Sequence, residues 1–188
     1  MHRKFSVSKF VKLRDLAKNT VGHTDEYLLI QLKSILVIYE TIDKEISNIE
    51  FQIKSIMKEY HTNIPSIPGI SIISAAQIVG EFGDFNKFSS ASKLLAFAGL
   101  EPSTIQSGSM IQNGKMVKHG SPHLRYVLMN VAKTIIIHNP TFYEYYSKKH
   151  HKEGKKDRVA LSHVVRKLLR IIYHLEIMDK KFDSKLLK

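Results

Sequence analysis

The sequence predicts a mainly α-helical protein in which one long helix precedes a compact helical domain. Over residues 24–60, apolar residues recur with alternating spacings of four and three, as they do along one face of a helix. Two prolines and a glycine interrupt this pattern within residues 61–71, and helical periodicity returns from residue 121 to about residue 177. The glycine- and serine-rich stretch 101–119 differs from both, and we expect a short β-hairpin or loop there.

The long helix is predicted over residues 24–60, with Thr24 as its cap and Asp25 and Glu26 in its first turn, where acceptors and negative charge are favourable. Its apolar positions form an a/d seam of more than four heptads: Leu28, Leu32, Ile35, Tyr39, Ile42, Ile46, Ile49, Ile53, Ile56 and Tyr60. A helix of this length is roughly 54 Å long. We expect the seam to pair with another helix, in a homodimer or higher oligomer. Packing against its own domain is the alternative.

The proline-containing break is the predicted domain boundary. We expect an N-terminal segment with a coiled-coil helix at 1–62, a helical domain at 63–178 and a basic tail at 179–188. Within the domain, Ser90 is expected to cap a short helix that closes at Gly99. The pair Asn113-Gly114 predicts the turn of a β-hairpin.

Charge and composition limit the classes of function. The formal net charge is +12, and residues 111–188 hold 17 basic and 6 acidic side chains. This charge favours nucleic acid as partner, although a solvated basic surface is the alternative. The chain has no cysteine, which excludes disulfides and thiol catalysis and fits a cytoplasmic protein. We expect no membrane span and, because the histidines lack ligand spacing, no metal site in this chain.

A proline-glycine turn precedes the first short helix of the domain. The stretch IPGISIISAAQIVGEFGDF has the pattern of a helix-hairpin-helix element, in which backbone N–H groups of the turn bind a DNA phosphate. Gly69 is the candidate phosphate contact, and Ile67, Ile70 and Ile73 are the expected anchors of the turn. An ordinary turn before a helix is the alternative.

The loop 101–119 combines hydroxyl groups with nearby cations. Its serines are Ser103, Ser107 and Ser109, followed by the candidate phosphate contacts Lys115, Lys118 and Arg125. A serine that attacks phosphorus needs cations that stabilise the developing charge. Spacing alone does not distinguish a nucleophilic serine from a serine in a surface turn.

The last helix carries a row of basic residues. With the segment before it, it supplies Lys155, Lys156, Arg158, Arg166, Lys167 and Arg170, and His163 lies among them. An apolar stripe on the same helix predicts that its other face is buried. We expect one basic helical surface that faces nucleic acid, and a merely solvated face is the alternative.

Four motifs in a fixed order carry a resemblance to a known family. They are IPGISIISAAQIVGEFGDF, KLLAFAGLEPSTIQSG, KHGSPHLRYVLMNVA and NPTFYEYYSKKHHKEGKKDRVALSHVVRKLLRIIY. From residue 67 to about residue 175, the chain resembles the C-terminal transposase domain of the Piv-type insertion-sequence transposases, the bridge-RNA-guided recombinases. The preceding long helix resembles the coiled-coil segment of that family.

The resemblance implies a function and a nucleophile. In the family, the serine of this loop bonds covalently to DNA, and here the serine before glycine is Ser107, with Ser103 and Ser109 less favoured. Lys118 and Arg125 match the basic segment that follows. The resemblance also implies a structured guide RNA as a further partner.

The family's N-terminal domain has a RuvC-type fold, with an Asp-Glu-Asp-Asp set that binds Mg²⁺, and we expect it to be missing here. The sequence therefore predicts a truncated transposase for DNA binding and serine-mediated strand exchange, not competent by itself. A non-catalytic DNA- or RNA-binding dimerisation fragment and an unrelated basic helical adaptor are the alternatives.

Overall fold

The computed structural model describes residues 6–20, 22, 25–107, 110–116 and 119–184. It confirms a mainly α-helical fold, with seven α-helices and two short strands among those residues. The chain divides into two compact units, residues 1–48 and residues 49–188. The division lies within the long helix, and the bounds 1–62, 63–178 and 179–188 stay predictions.

Two helices begin the chain. Helix α1 spans Val7–Lys18, and the Ser6 hydroxyl accepts a hydrogen bond from the N–H of Lys9. Helix α2 spans Glu26–Glu59 as one helix of 34 residues, which confirms the predicted long helix. Thr24, its predicted cap, lies outside the described residues. The Asp25 carboxylate, directly before the helix, accepts from the N–H of Tyr27 at 2.9 Å.

The apolar seam of α2 is exposed in this single chain. Ile42 is 53% exposed and Ile46 is 51% exposed. Among the described residues of α2, none is buried. The predicted pairing of α2 with a second helix would cover this surface, and it stays a prediction.

Short helices and a two-stranded sheet follow in the second unit. The elements are a 3₁₀ helix at Ile64–Ser66, α3 at Ile72–Phe82, a 3₁₀ helix at Phe85–Lys87, α4 at Ala91–Phe97, β1 at Pro102–Ser107, β2 at Met110–Met116, α5 at Pro122–His138, α6 at Pro140–Ser147, a π-helix at Lys148–Lys152 and α7 at Asp157–Ile177. The hydroxyls of Ser71, Ser90 and Ser121 cap α3, α4 and α5. The predicted cap at Ser90 is thus confirmed.

Helix α7 lies at the centre of the core. It packs against α4, α5 and α6, and its buried apolar side chains are Leu161, Val164, Val165, Leu168, Leu169, Ile172 and Leu175. Helix α5 contributes a matching stripe from Leu124 to Ile135. The burial of these stripes is the main favourable contribution to the stability of the unit.

The C-terminal end of α7 holds the segment that follows α2. One carboxylate oxygen of Glu176 accepts from the Thr62 hydroxyl at 2.9 Å and from the N–H of Asn63 at 2.8 Å. Asp179 accepts from the side-chain amide of Asn63 at 2.8 Å and is also hydrogen-bonded to His61. These bonds fix the chain directly before the proline-glycine turn.

Candidate nucleic-acid interface and serine arm

The proline-glycine turn is built as the sequence predicts, with a shorter element before it. Ile70 N–H donates to Ile67 C=O at 3.1 Å, and Gly69 has φ +98°. These features fit a type II turn with proline second and glycine third. Ile67 and Ile70 are buried, which confirms them as anchors. The element before the turn is the three-residue 3₁₀ helix, so the first arm of the expected hairpin is short.

Gly69 contacts the protein on one side. A Cβ at this position would lie 3.0 Å from Ile135 Cα and 3.3 Å from His138 Cβ, so the turn packs closely against α5. The glycine is therefore required both by its φ and by this contact. Its predicted phosphate contact is untested by this geometry and stays a prediction.

Strands β1 and β2 form an antiparallel arm, which we call the serine arm (residues 102–116). Pro102 pairs with Met116 at its base, and Ser107 pairs with Met110 at its far end. At about 3.3 Å per residue, the strand carries Ser107 roughly 17 Å from Pro102. Ser103 lies near the base, and Ser109 lies outside the described residues.

The turn of the arm is not at Asn113-Gly114, and that prediction is wrong. Asn113 pairs with Thr104, so both residues lie inside β2. Gly114 and Lys115 together lie opposite Ser103, where the register shifts, as in a β-bulge. Glycine suits a bulge as well as a turn, which explains why the sequence signal was misleading.

Two glycines form the neck of the serine arm, defined here as Gly99 and Gly120 with their contacts. A Cβ at Gly99 would lie 2.1 Å from the His119 carbonyl oxygen, and one at Gly120 would lie 2.2 Å from the Phe97 carbonyl oxygen. Both glycines have positive φ, +65° and +119°. Only glycine therefore allows the segments before and after the arm to approach so closely.

Arg125 lies at this neck. Its Nη1 donates to the Gly120 carbonyl at 2.9 Å and lies 3.0 Å from the position of a Cβ on Gly99. Arg125 and Ser107 thus lie at opposite ends of the arm, and their predicted contacts to phosphate stay predictions. Lys115 is close to the base in β2, and Lys118 lies outside the described residues.

A carboxylate–imidazole pair, missed in the sequence, links α3 to α5 beside the neck. Glu81 Oε1 and His123 Nδ1 are 2.8 Å apart. Hydrogen bonds from His123 and Ser121 lower the pKa of Glu81. The two partners are 42 residues apart, so no local pattern could reveal the pair.

The basic residues of α7 and of the segment before it differ in their exposure, and the predicted nucleic-acid surface stays a prediction. Lys156, Arg158 and Arg170 are exposed, whereas Lys155, Arg166 and Lys167 are half-buried. Lys167 has aromatic neighbours. Its Nζ lies 4.9 Å from the ring centroid of Tyr145 and 5.8 Å from that of Phe142, and burial lowers its pKa. This ammonium therefore packs on aromatic faces of α6.

In the described ranges, no group of three or more His, Asp or Glu side chains could hold a metal ion. No helix in the described part of the chain is long and apolar enough to span a membrane.

Known proteins match the region that holds the turn, the arm and its neck. Residues 61–147 match the family described as transposase IS116/IS110/IS902. The pilin gene-inverting protein of Moraxella bovis is 27% identical over 124 residues, which cover 65% of this chain and 38% of that protein. The insertion element IS110 uncharacterized 43.6 kDa protein of Streptomyces coelicolor is 25% identical over 127 residues, 66% of this chain and 31% of that protein.

A further relative is the transposase for insertion sequence element IS1111A of Coxiella burnetii, 30% identical over 98 residues. That match covers 51% of this chain and 27% of the relative. The chain thus matches between about a quarter and two fifths of the length of these relatives. Over residues 61–147, the chain is therefore similar to the IS116/IS110/IS902 family of insertion-sequence transposases.

Proposed function

We propose that this chain binds DNA and supplies Ser107 as the nucleophile of strand exchange in the transposition of an insertion sequence. The family match over residues 61–147 carries the proposal, since this region includes the whole serine arm. The arm's geometry supports it. Ser107 ends a strand whose base is fixed by the glycine neck. A residue that reacts with a large external substrate such as DNA is expected at a position of this kind.

The proposed reaction is a phosphodiester exchange. Ser107 Oγ attacks a backbone phosphorus, an Oγ–P bond forms, and the bond from phosphorus to one deoxyribose oxygen breaks. The serine proton passes to water, and the released oxygen takes up a proton from water. Attack by a deoxyribose hydroxyl of another strand then reverses the sequence and frees the serine. Each step breaks one phosphoester bond and forms another, so the number of phosphoester bonds does not change.

Whether Ser107 can act as a nucleophile depends on the cations available to the phosphate. Arg125, one of the cations expected to offset the phosphate charge, is held at the neck, and the described residues offer no metal-binding group. A nucleophilic serine needs charge stabilisation at the phosphate. We propose that the metal-binding domain of the family provides it, in the same chain or in another. By itself the 188-residue chain is expected to bind DNA without forming an adduct.

The test is a covalent protein–DNA adduct that survives denaturing electrophoresis. With the family's N-terminal domain added, the wild-type chain should form the adduct, and Ser107→Ala should abolish it. Ser103→Ala and Ser109→Ala are matched controls, because each removes one hydroxyl from the same segment and should leave most of the adduct. Persistence of the adduct in Ser107→Ala would mean that another group is the nucleophile.

A different observation supports the non-catalytic alternative, and a different experimental result would favour it. The exposed seam of α2 would suit a fragment that only dimerises and binds nucleic acid. An adduct absent under every condition, with DNA binding retained, would favour this alternative. An adduct formed by the chain without any added domain would refute our view that further groups are needed.

A further inference from the structure

We propose that Lys149, Lys155 and Arg166 form a seat for one phosphodiester group of double-stranded DNA, where the π-helix meets α7. We call these three residues the phosphate seat. The inference rests on the proposed function for the identity of its ligand. It adds a binding site that lies apart from the serine arm. It also distinguishes Arg166, which would bind phosphate, from the other basic residues of the last helix.

The π-helix positions two of the three cations. Residues Lys148–Lys152 form a widened turn, closed by a bond from Glu153 N–H to the Lys148 carbonyl at 3.0 Å. The N–H of Lys155 donates to the Lys149 carbonyl at 3.2 Å, and His150 Nδ1 lies 2.8 Å from the Lys155 carbonyl oxygen. Single π-helical turns occur frequently at functional sites, where they displace side chains from their regular positions.

Charges from the π-helix, the following loop and α7 act on His163. The pKa of His163 is lowered by burial and then by the positive charges of Lys149, Arg166 and Lys155. Glu153 acts in the opposite direction, and it pairs with Lys149 at 2.6 Å. The charges of three cations and one carboxylate thus act on one half-buried imidazole. The excess positive charge fits an anion such as a phosphodiester.

Arg166 lacks the partner that a half-buried cation requires. Its Nε is buried without a hydrogen-bond partner among the described residues, and the ion pairs found among them do not include it. Burying an unpaired charge is unfavourable. A phosphate at the outer edge of the guanidinium would supply the missing negative charge, in the planar geometry that arginine favours.

Lys167 is the matched counter-example on the same helix. It is the neighbour of Arg166 in sequence and is also half-buried, but its ammonium lies over the rings of Tyr145 and Phe142. The aromatic faces partly compensate its charge. We therefore expect Lys167 to contribute to packing and not to phosphate binding.

Binding of a 20-base-pair DNA duplex by the full chain tests the seat, measured at several salt concentrations. Arg166→Gln should weaken binding about tenfold and reduce the steepness of the logarithmic salt dependence by about one, the effect of losing one phosphate contact. Lys155→Gln, near the protein surface, should show the same loss of slope. This second variant keeps the test valid if Arg166→Gln does not fold. Lys167→Met should keep the wild-type slope.

A second readout does not depend on DNA. Inorganic phosphate, added to the wild-type chain, should raise the pKa of His163 measured by NMR, because a bound anion favours the protonated imidazole. Arg166→Gln should abolish that response, and Lys167→Met should retain it. Wild-type salt slopes in both Arg166→Gln and Lys155→Gln would overturn the seat.

The two readouts separate the seat from the proposed function. A phosphate response at His163 in a chain that binds no duplex would support an anion site and overturn the DNA function. Tighter binding of an RNA hairpin than of the duplex, lost in Arg166→Gln, would overturn our choice of DNA as the ligand. Duplex binding with wild-type slopes in both glutamine variants would refute the seat alone.

Discussion

Replacing Gly120 by alanine should open the neck of the serine arm. The new Cβ would lie 2.2 Å from the Phe97 carbonyl oxygen, and a backbone oxygen cannot move aside as a flexible side chain can. The φ of +119° adds conformational strain, about 1–2 kcal/mol for an L-residue outside its allowed regions. Loss of the Arg125–Gly120 hydrogen bond costs about 1 kcal/mol more. These two costs sum to about 2–3 kcal/mol, and the overlap places the expected total at the upper end, about 3 kcal/mol.

Two other glycines provide matched controls. Gly154 also has a positive φ, +63°, but a Cβ there would meet nothing within 4 Å, so alanine should cost only the strain of about 1 kcal/mol. Gly80 lies inside α3 with open space around it, and alanine there should stabilise the helix by about 0.5–1 kcal/mol. The three substitutions thus separate steric overlap, backbone strain and helix propensity.

Thermal unfolding and amide hydrogen exchange measure the effect. A change of 1 kcal/mol shifts Tm by about 2–4 °C in a protein of this size, so Gly120→Ala should lower Tm by about 6–12 °C. If the neck opens without global unfolding, the loss should appear as faster exchange at residues 97–101 and 119–121. A Gly120→Ala variant that matches Gly154→Ala in both measurements would refute the close approach at the neck.

Two further predictions concern α2 and the C-terminal bonds. Ile42→Lys with Ile46→Lys should convert an α2-mediated dimer to a monomer in sedimentation, whereas Thr41→Lys with Ser47→Lys, off the seam, should not; a wild-type chain that is monomeric at tens of micromolar would contradict the seam. The bond to Asp179 raises the pKa of His61, and the bond to His61 lowers that of Asp179. The stability contributed by His61 is lost as pH rises through its raised pKa, and that of Asp179 is lost as pH falls through its lowered pKa. Urea unfolding should thus show the largest loss in His61→Ala below pH 6.5, the ordinary pKa of the imidazole, and a loss that declines as pH rises through the raised pKa; a loss that is unchanged between about pH 6 and pH 9 would contradict this assignment.

Features that depend on local periodicity were predictable from the sequence. The spacing of apolar residues identified α2, α5 and α7, and a serine before an apolar run identified the cap at Ser90. In each case the information lies within one or two helical turns. Recognition of the family used the same local motifs, placed in order along the chain.

Features that depend on distant contacts were not predictable. The pattern on α7 treats Arg166 and Lys167 as equivalent, and only the position of Tyr145 on α6 distinguishes them. The pairing of Glu81 with His123 and the mutual approach of Gly99 and Gly120 likewise need the folded chain. The Asn113-Gly114 signal was misleading because a bulge and a turn make the same demand for glycine.

The geometry of the arm also separates two parts of the proposed function. A two-stranded ribbon is only marginally stable by itself, so the position of Ser107 depends on the neck that holds the base of the arm. The phosphate seat is built from the π-helix, the following loop and α7, none of which shares a residue with the neck. Substitutions at Gly120 should therefore impair adduct formation while the salt dependence of DNA binding is kept, and substitutions at Arg166 should weaken binding without moving the serine. Strand exchange and DNA affinity are expected to fail independently, because different contacts support the nucleophile and the phosphate seat.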